Sequence, residues 1–311
     1  MRDIGPMFPF VVGCPRSGTS LLRAMLDSHP EMAIPTESHF IPKLVGSPSA
    51  LAGTLSKESN FLKWGIAIPP LEDVRDYSEA IRRIYASYAE AQGKPRYGDK
   101  TPAYVLHIPF LAHLFPESGF IHVIRDGRDA ALSLLDVGFG PSTLEQAALR
   151  WRRYVSAGRI AGRALPGRYL EVQYERLVDD AESTLRMICD YLALSYSPAM
   201  LEYPRRIDTL RPNASPMDHL RHAPIRTRDW RSLMSHEQVE TFERIAGDVL
   251  IQLGLEASSS PGPRQRLERV RARGAYMRSR GRAIWWAHSV RASANVTSKT
   301  ARFPERPPWK N

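Results

Sequence analysis

Two apolar runs stand out along the chain, and each one ends in a polar loop that contains glycine. Residues 8–12 (FPFVV) precede Gly13, and residues 120–124 (FIHVI) precede the string Arg125-Asp126-Gly127. Short apolar runs bounded by turn residues are typical of strands buried inside a sheet. The pattern therefore predicts two buried strands, each followed by a loop that could carry chemistry.

Elsewhere apolar residues recur at helical spacing or in shorter runs. The spacing predicts helices from Thr19, through Leu106 to Leu114, and at about 77–92, 144–164, 179–193 and 236–253. Short strands are predicted at 31–34, 97–100 and 169–172. Strands that alternate with helices favour an α/β fold, a parallel β-sheet flanked by helices on both faces. Such sheets bind ligands at the carboxyl ends of their strands.

The loop after the first strand has the composition of a phosphate cradle. Gly13 and Gly18 bracket it, and a helix follows directly, so backbone N–H groups and the helix N-terminus can face an anion. The spacing equals that of a Walker A loop, but Thr19 stands where that loop has lysine. Arg16 is the cation of this loop, and its planar guanidinium can hold two oxygens of a phosphate or sulfonate group.

Charge is distributed unevenly over the 311 residues. Residues 258–311 hold 13 Lys and Arg against 2 Asp and Glu, a net charge of +11, so residues 1–257 carry −1 of the total of +10. We therefore divide the chain into a nearly neutral domain, 1–257, and a basic tail, 258–311. Because the domain is nearly neutral and has no recognition motif, we expect no specific nucleic-acid partner.

The tail supports two interpretations. Apolar residues at helical spacing among many arginines are typical of an amphipathic helix that contacts an anionic membrane surface. Gly274 and Gly281 weaken such a helix and favour a disordered tail instead. The two cysteines, Cys14 and Cys189, belong to no metal-binding or disulfide pattern. The first residues show no signal-sequence pattern, so we expect a cytoplasmic protein. If the tail binds lipid, the protein would be peripheral at the inner membrane face.

Two motifs together resemble those of sulfotransferases that use 3′-phosphoadenosine-5′-phosphosulfate (PAPS). The string GCPRSGTS at 13–20 is similar to the family's 5′-phosphosulfate loop. Arg125 at a strand end, with Ser133 eight residues later, resembles the family's 3′-phosphate motif. The resemblance implies a P-loop NTPase-like sulfotransferase fold, PAPS as sulfonate donor and no metal. The residues that it implies for donor binding are Arg16, Ser17, Gly18, Thr19, Ser20, Arg125, Ser133, Tyr174, Arg228 and Trp230.

The resemblance also implies catalytic roles for Glu37, Lys100 and Arg16. Protein-tyrosine and several carbohydrate sulfotransferases have a glutamate base after the first helix, where this chain has Glu37. The small-molecule branch uses the histidine of a Lys-Thr-His string, but Pro102 occupies that position here. Lys100 would contact the sulfonate or the bridging oxygen, and His39 is the rival base. A carboxylate near Arg16 and Lys100 should have a lowered pKa.

Two other function classes stay open at this stage. A P-loop kinase would use ATP with magnesium, although Arg125 ends the second strand where such enzymes commonly have an acidic metal ligand. A catalytically inactive nucleotide-binding module would bind its ligand whether or not Glu37 is present. The acceptor could be a small molecule such as a phenol, a carbohydrate, a lipid or a peptide, and we expect residues 41–75 and 195–225 to shape its pocket. The resemblance to the 3′-phosphate motif also suggests Arg128, with pairing to Asp129 as the alternative.

Overall fold

A computed structural model describes residues 6–205 and 228–257. The strands are β1 Phe8–Gly13, β2 Met32–Ala33, β3 Arg96–Tyr97, β4 Asp99–Lys100, β5 Ser118–Ile124 and β6 Tyr169–Gln173. The α-helices are α1 Thr19–Asp27, α2 Pro48–Leu55, α3 Ser59–Leu62, α4 Tyr77–Ala91, α5 Ile108–Leu114, α6 Gly127–Leu135, α7 Leu144–Gly162, α8 Tyr174–Asp179, α9 Ala181–Tyr191, α10 Trp230–Leu233 and α11 His236–Gln252. Two 3₁₀ helices cover Pro102–His107 and Pro198–Met200.

The main sheet is parallel and has the strand order β4-β1-β5-β6. Its centre is the β1–β5 pair, which runs in register from Phe8 opposite Ser118 to Gly13 opposite Val123. Both strands are buried along their whole length, as their continuous apolar runs predict. Strands β2 and β3 form a separate two-stranded parallel sheet.

Alternate residues of β1 pack into cores on opposite faces of the sheet. Phe8 and Phe10 join the cluster beneath α4, α5 and the first 3₁₀ helix. Val11 joins the cluster formed with α1 and α9. A third core, around Trp151 and Phe242, lies where α6, α7 and α11 meet. Helices therefore cover both faces, and the predicted fold class is confirmed.

The prediction of one continuous helix through Leu106 and Leu114 is wrong. The segment is a 3₁₀ helix, Pro102–His107, followed by the separate helix α5, Ile108–Leu114. Pro109 lies at the start of α5, where its missing N–H costs no helical hydrogen bond, whereas the same residue would interrupt one continuous helix.

The helix α8, directly after β6, was not among the sequence predictions. Among the described helices, none is both long enough and apolar enough to cross a membrane. The basic tail 258–311 and most of the predicted acceptor loop 195–225 lie outside the described residues, so the interpretations of the tail stay predictions, as does the domain division at 257/258.

Candidate active site

The loop between β1 and α1 is held in a conformation that requires glycine at its end. Gly18 has φ +90°, and a Cβ placed on it would lie 2.3 Å from the ring of Tyr174. Arg16 also has a positive φ of 73°, although it is not glycine. Strained loop residues of this kind persist where the surrounding structure holds them. The N–H of Ser17 donates to the carbonyl of Cys14 at 3.2 Å. That backbone hydrogen bond closes a turn within the loop.

The two predicted phosphate motifs meet in space. The Nε of Arg16 donates to the Oγ of Ser133 at 3.1 Å, across 117 residues of sequence. Arg125 donates to the carbonyl of Arg16 at 3.4 Å, and its guanidinium lies over the ring of Tyr174, 4.6 Å from the centroid. Because Tyr174 also covers Gly18, one aromatic ring contacts both motifs.

This cluster of arginines is electrostatically suited to an anion. Burial lowers the pKa of Arg16, and the nearby charges of Arg125 and Arg228 lower it further, while Asp136 opposes them. The Oγ of Ser17 and the Nε of Arg125 are buried and have no hydrogen-bond partner within the described part of the chain. Cationic groups that repel one another, with donors left unused, fit an anionic ligand.

A second cluster lies beside the loop and contains the predicted base. Lys100 is only 1% exposed, and its Nζ donates to the Oε1 of Glu37 at 2.6 Å and to the Oγ of Ser20 at 3.3 Å. The Nε2 of His39 lies 2.7 Å from the other carboxylate oxygen, Oε2. Burial alone would raise the pKa of Glu37, but the hydrogen bond from His39 and the charge of Lys100 together lower it to about 2. Glu37 is therefore ionised at neutral pH, as charge reasoning from the sequence predicts.

A buried network anchors the segment that carries Glu37. The hydroxyl of Ser38 donates to the Oδ2 of Asp99 at 2.7 Å and lies 2.8 Å from the hydroxyl of Tyr104. The same carboxylate oxygen accepts from Tyr85 at 2.6 Å, and the Ser38 N–H donates to the Oγ1 of Thr101 at 3.1 Å. Sequence reasoning missed these groups, although the string Asp99-Lys100-Thr101 was itself a signal that they act together.

The remaining predicted residues are Arg228, Trp230 and Thr19. Arg228 pairs with Asp136. Trp230 lies over the guanidinium of Arg128, 3.6 Å from it, and 4.6 Å from that of Arg231. Thr19 is buried at the start of α1.

Arg128 does not pair with Asp129, and that alternative is corrected. It is buried and bonds to Asp126 at 2.7 Å and to Glu243 of α11 at 3.0 Å. The sequence could not indicate the second partner, which lies 115 residues away. Asp129 instead keeps one buried oxygen, Oδ1, without a hydrogen-bond partner in the described residues. Burial raises its pKa to about 6, against the opposing charge of Arg125.

Neither cysteine shows the environment of a reactive thiol. Cys14 and Cys189 are buried and unpaired with one another, and burial raises the pKa of Cys14 to about 12. Within residues 6–205 and 228–257, no group of three or more His, Cys, Asp or Glu side chains is arranged to hold a metal ion.

Comparison with known proteins adds independent information. The model of the sulfotransferase family matches residues 9–198. Protein-tyrosine sulfotransferase 2 of Gallus gallus is 29% identical over 205 residues, which cover 62% of this chain and 53% of that protein. Protein-tyrosine sulfotransferase 1 of Danio rerio is 26% identical over 201 residues, covering 62% and 55%. The chain thus spans about half the length of these curated relatives.

Solved structures support the same fold. The sulfotransferase domain of an olefin synthase from Synechococcus PCC 7002 has a TM-score of 0.57 and 26% identity, covering 76% of this chain and 93% of that domain. A sulfotransferase domain from the curacin biosynthetic pathway has a TM-score of 0.51 and 19% identity, covering 81% and 99%.

Proposed function

The chain belongs to the sulfotransferase family, and on this premise we propose that it moves the sulfonate group of PAPS to a hydroxyl or amine acceptor, with Glu37 as general base. The observation that carries the proposal is the hydrogen bond between Arg16 and Ser133. It joins the two motifs expected for the 5′ and 3′ phosphates, while Lys100 links the same loop to Glu37 through Ser20.

The donor would be held mainly by arginine. Arg16 would bind the 5′-phosphosulfate end, and Arg125 and Ser133 would bind the 3′-phosphate. The unused donors of Ser17 and Arg125 fit additional phosphate oxygens. Tyr174, Arg228 and Trp230 would complete the binding site. Once bound, the donor supplies an activated sulfonate group.

Glu37 is suited to take the proton of the acceptor because it is ionised at neutral pH and about a third exposed. Its low pKa makes it a weak base while Lys100 is bound to it. Negative charge that develops on the bridging oxygen would compete with Glu37 for the Lys100 ammonium, so the pKa of Glu37 would rise and the carboxylate would become a stronger base. A pre-positioned cation of this type stabilises developing charge with little reorganisation.

The acceptor would carry a hydroxyl or amine group. A protein tyrosine is one candidate beside the small molecules, carbohydrates and lipids expected from the sequence, because curated relatives are protein-tyrosine sulfotransferases. We retain a cytoplasmic location and membrane contact through the tail as proposals.

The test is turnover of PAPS by Glu37→Gln and His39→Asn, followed as release of 3′-phosphoadenosine-5′-phosphate. Loss of a general base lowers kcat by about 10²- to 10⁴-fold. We expect that loss in Glu37→Gln, with unchanged affinity for the bisphosphate, and a smaller loss in His39→Asn. The exposed Glu72→Gln serves as matched control. The reverse order of the two losses would assign the base to His39 and overturn the proposal for Glu37.

A further inference from the structure

Two arginines on one face of α7 have no acidic partner among residues 6–205 and 228–257. Arg150 and Arg153 are three residues apart and so lie on the same side of the helix. Their neighbours Arg152 and Arg159 pair with Asp248 and Glu171. For Arg150 and Arg153, the described ranges of the chain offer no acidic partner in an ion pair.

One end of this arginine pair adjoins the phosphate loop. Arg150 donates to the carbonyl of Phe139 at 3.4 Å, and its charge acts on the thiol of Cys14 inside the loop. Phe139 follows Asp136 closely, and the charge of Asp136 in turn acts on Arg16. Arg150 therefore lies beside the segments that form the predicted donor site.

The other end adjoins the helix that follows Lys100. Arg153 acts on His107, the last residue of the 3₁₀ helix that begins at Pro102. Burial and then the charge of Arg153 lower the pKa of His107 to about 4, so its imidazole is neutral at pH 7. Tyr154, next to Arg153 in sequence, packs against the core that contains Cys14 and against the core that contains Val105 of that 3₁₀ helix. The arginine pair thus lies between the phosphate loop and the segment that positions Lys100.

An exposed aromatic ring stands next to this pair. Phe139 is 66% exposed, more than the other exposed large apolar side chains of the described residues, and glycines flank it on both sides. A Cβ on Gly140 would lie 1.7 Å from the carbonyl of Leu134, so the loop packs closely on the end of α6. The ring is consequently presented by a fixed loop and offers an apolar contact to a ligand.

We propose that Arg150, Arg153 and Phe139 form an acceptor subsite for a hydroxyl compound that carries a carboxylate or similar anionic group on an apolar body. The arginines would bind the anion, and the ring of Phe139 would contact the body. The inference deepens the proposed function and rests on it. The donor's phosphates have their own cations in Arg16, Arg125 and Arg228, which leaves the α7 pair for the acceptor.

The experiment compares two phenols that differ in one charge, 4-hydroxyphenylacetate and 4-hydroxyphenylacetamide, as acceptors with PAPS. We expect wild-type kcat/KM to be at least about tenfold higher for the carboxylate, a ratio equal to roughly 1.4 kcal/mol. Arg150→Gln/Arg153→Gln should abolish this preference through KM for the carboxylate and leave the amide unaffected. Arg150→Lys/Arg153→Lys should retain most of it, because the charges stay.

Controls separate this inference from the proposed function. Arg163→Gln, an exposed arginine at the end of the same helix, should keep the preference. All variants should bind 3′-phosphoadenosine-5′-phosphate like wild type. Three results would overturn the subsite. Wild type could show equal kcat/KM for the two phenols, it could bind the bisphosphate but use neither phenol, or the Gln variant could lose activity equally with both. Failure of wild type to bind the bisphosphate would instead overturn the proposed function.

Discussion

Replacing Ser38 by alanine should lower kcat by displacing Glu37, the proposed base, although the Glu37 side chain itself is unchanged. Ser38 is fully buried and lies between Glu37 and His39. Its hydroxyl donates to Asp99 and lies within hydrogen-bond distance of Tyr104, and these two bonds fix the backbone from which the Glu37 side chain extends.

The magnitude follows from the bonds that are lost. Ser38→Ala removes the hydrogen bond to the carboxyl group of Asp99, and Asp99 keeps Tyr85 as a donor at 2.6 Å. Tyr104 loses a buried partner, although it still accepts from the N–H of Ile41 at 3.0 Å. One lost bond to an acidic group and one weakened buried hydroxyl should lower the free energy of unfolding by about 2–4 kcal/mol. Since displacement of a reacting group by about 1 Å can cost 10²-fold in rate, kcat should fall by roughly 10- to 100-fold.

The assay pairs urea denaturation with steady-state turnover of PAPS. The control is Tyr77→Phe, which removes another buried hydroxyl, bonded to the carbonyl of Ile41 at 2.8 Å, but leaves the Ser38 network intact. It should lower the free energy of unfolding by about 1–2 kcal/mol and leave kcat close to wild type. A Ser38→Ala enzyme that is less stable but has wild-type kcat would refute the reasoning, because the network would then be structural only.

Two further predictions concern the donor side of the site. Gly18→Ala should weaken binding of the bisphosphate by at least about tenfold, because the new Cβ collides with the Tyr174 ring and the positive φ costs about 1–2 kcal/mol more than for glycine. The control is Gly167→Ala, where φ is +72° and no atom lies near the new Cβ. This variant has the same backbone strain without the collision and should bind normally in calorimetric titration. Asp129→Asn should stabilise the protein in a pH-dependent way. The pKa of Asp129 is raised to about 6. Its carboxyl group is influenced by the charges of Arg125, Asp126 and Glu175 and by the backbone N–H of Trp230. Its protonated form is favoured by folding, so its contribution is complete below pH 3.8 and is lost as pH rises through 6. Asparagine cannot ionise, so in urea denaturation the variant should exceed wild type by about 1–2 kcal/mol at pH 7.5, after allowance for solvent screening, and by roughly a third of that at pH 4.5. A difference that is the same at both pH values would contradict this account.

Local patterns were sufficient for the two central strands and for the phosphate loop, but the strand predicted at 97–100 is two strands, Arg96–Tyr97 and Asp99–Lys100, which belong to different sheets. The apolar runs at 8–12 and 120–124 predict strands because a parallel strand buried on both faces has no polar alternation. The loop from Gly13 to Gly18 is recognisable because glycine positions and a following helix are properties of contiguous residues. Charge reasoning also predicts the direction of the pKa shift of Glu37, since Lys100 was expected beside it.

Partnerships across the chain were not predictable in the same way. Ser38 meets Asp99 and Tyr104 over separations of 61 and 66 residues, and Arg128 meets Glu243 over 115. No local pattern encodes such pairs, because they arise when separate elements pack together. Only the resemblance to a known family placed Arg16 and Ser133 in one site, and the structure then brought them within 3.1 Å.

Calorimetric titration tests the central claim most directly. Wild type and Arg125→Ala are each titrated with 3′-phosphoadenosine-5′-phosphate and with ATP plus magnesium. The account predicts that wild type prefers the bisphosphate and that Arg125→Ala loses at least about tenfold in affinity, because a charge-assisted bond to the 3′-phosphate is removed. Preference for ATP with magnesium, or equal bisphosphate affinity in the variant, would contradict it.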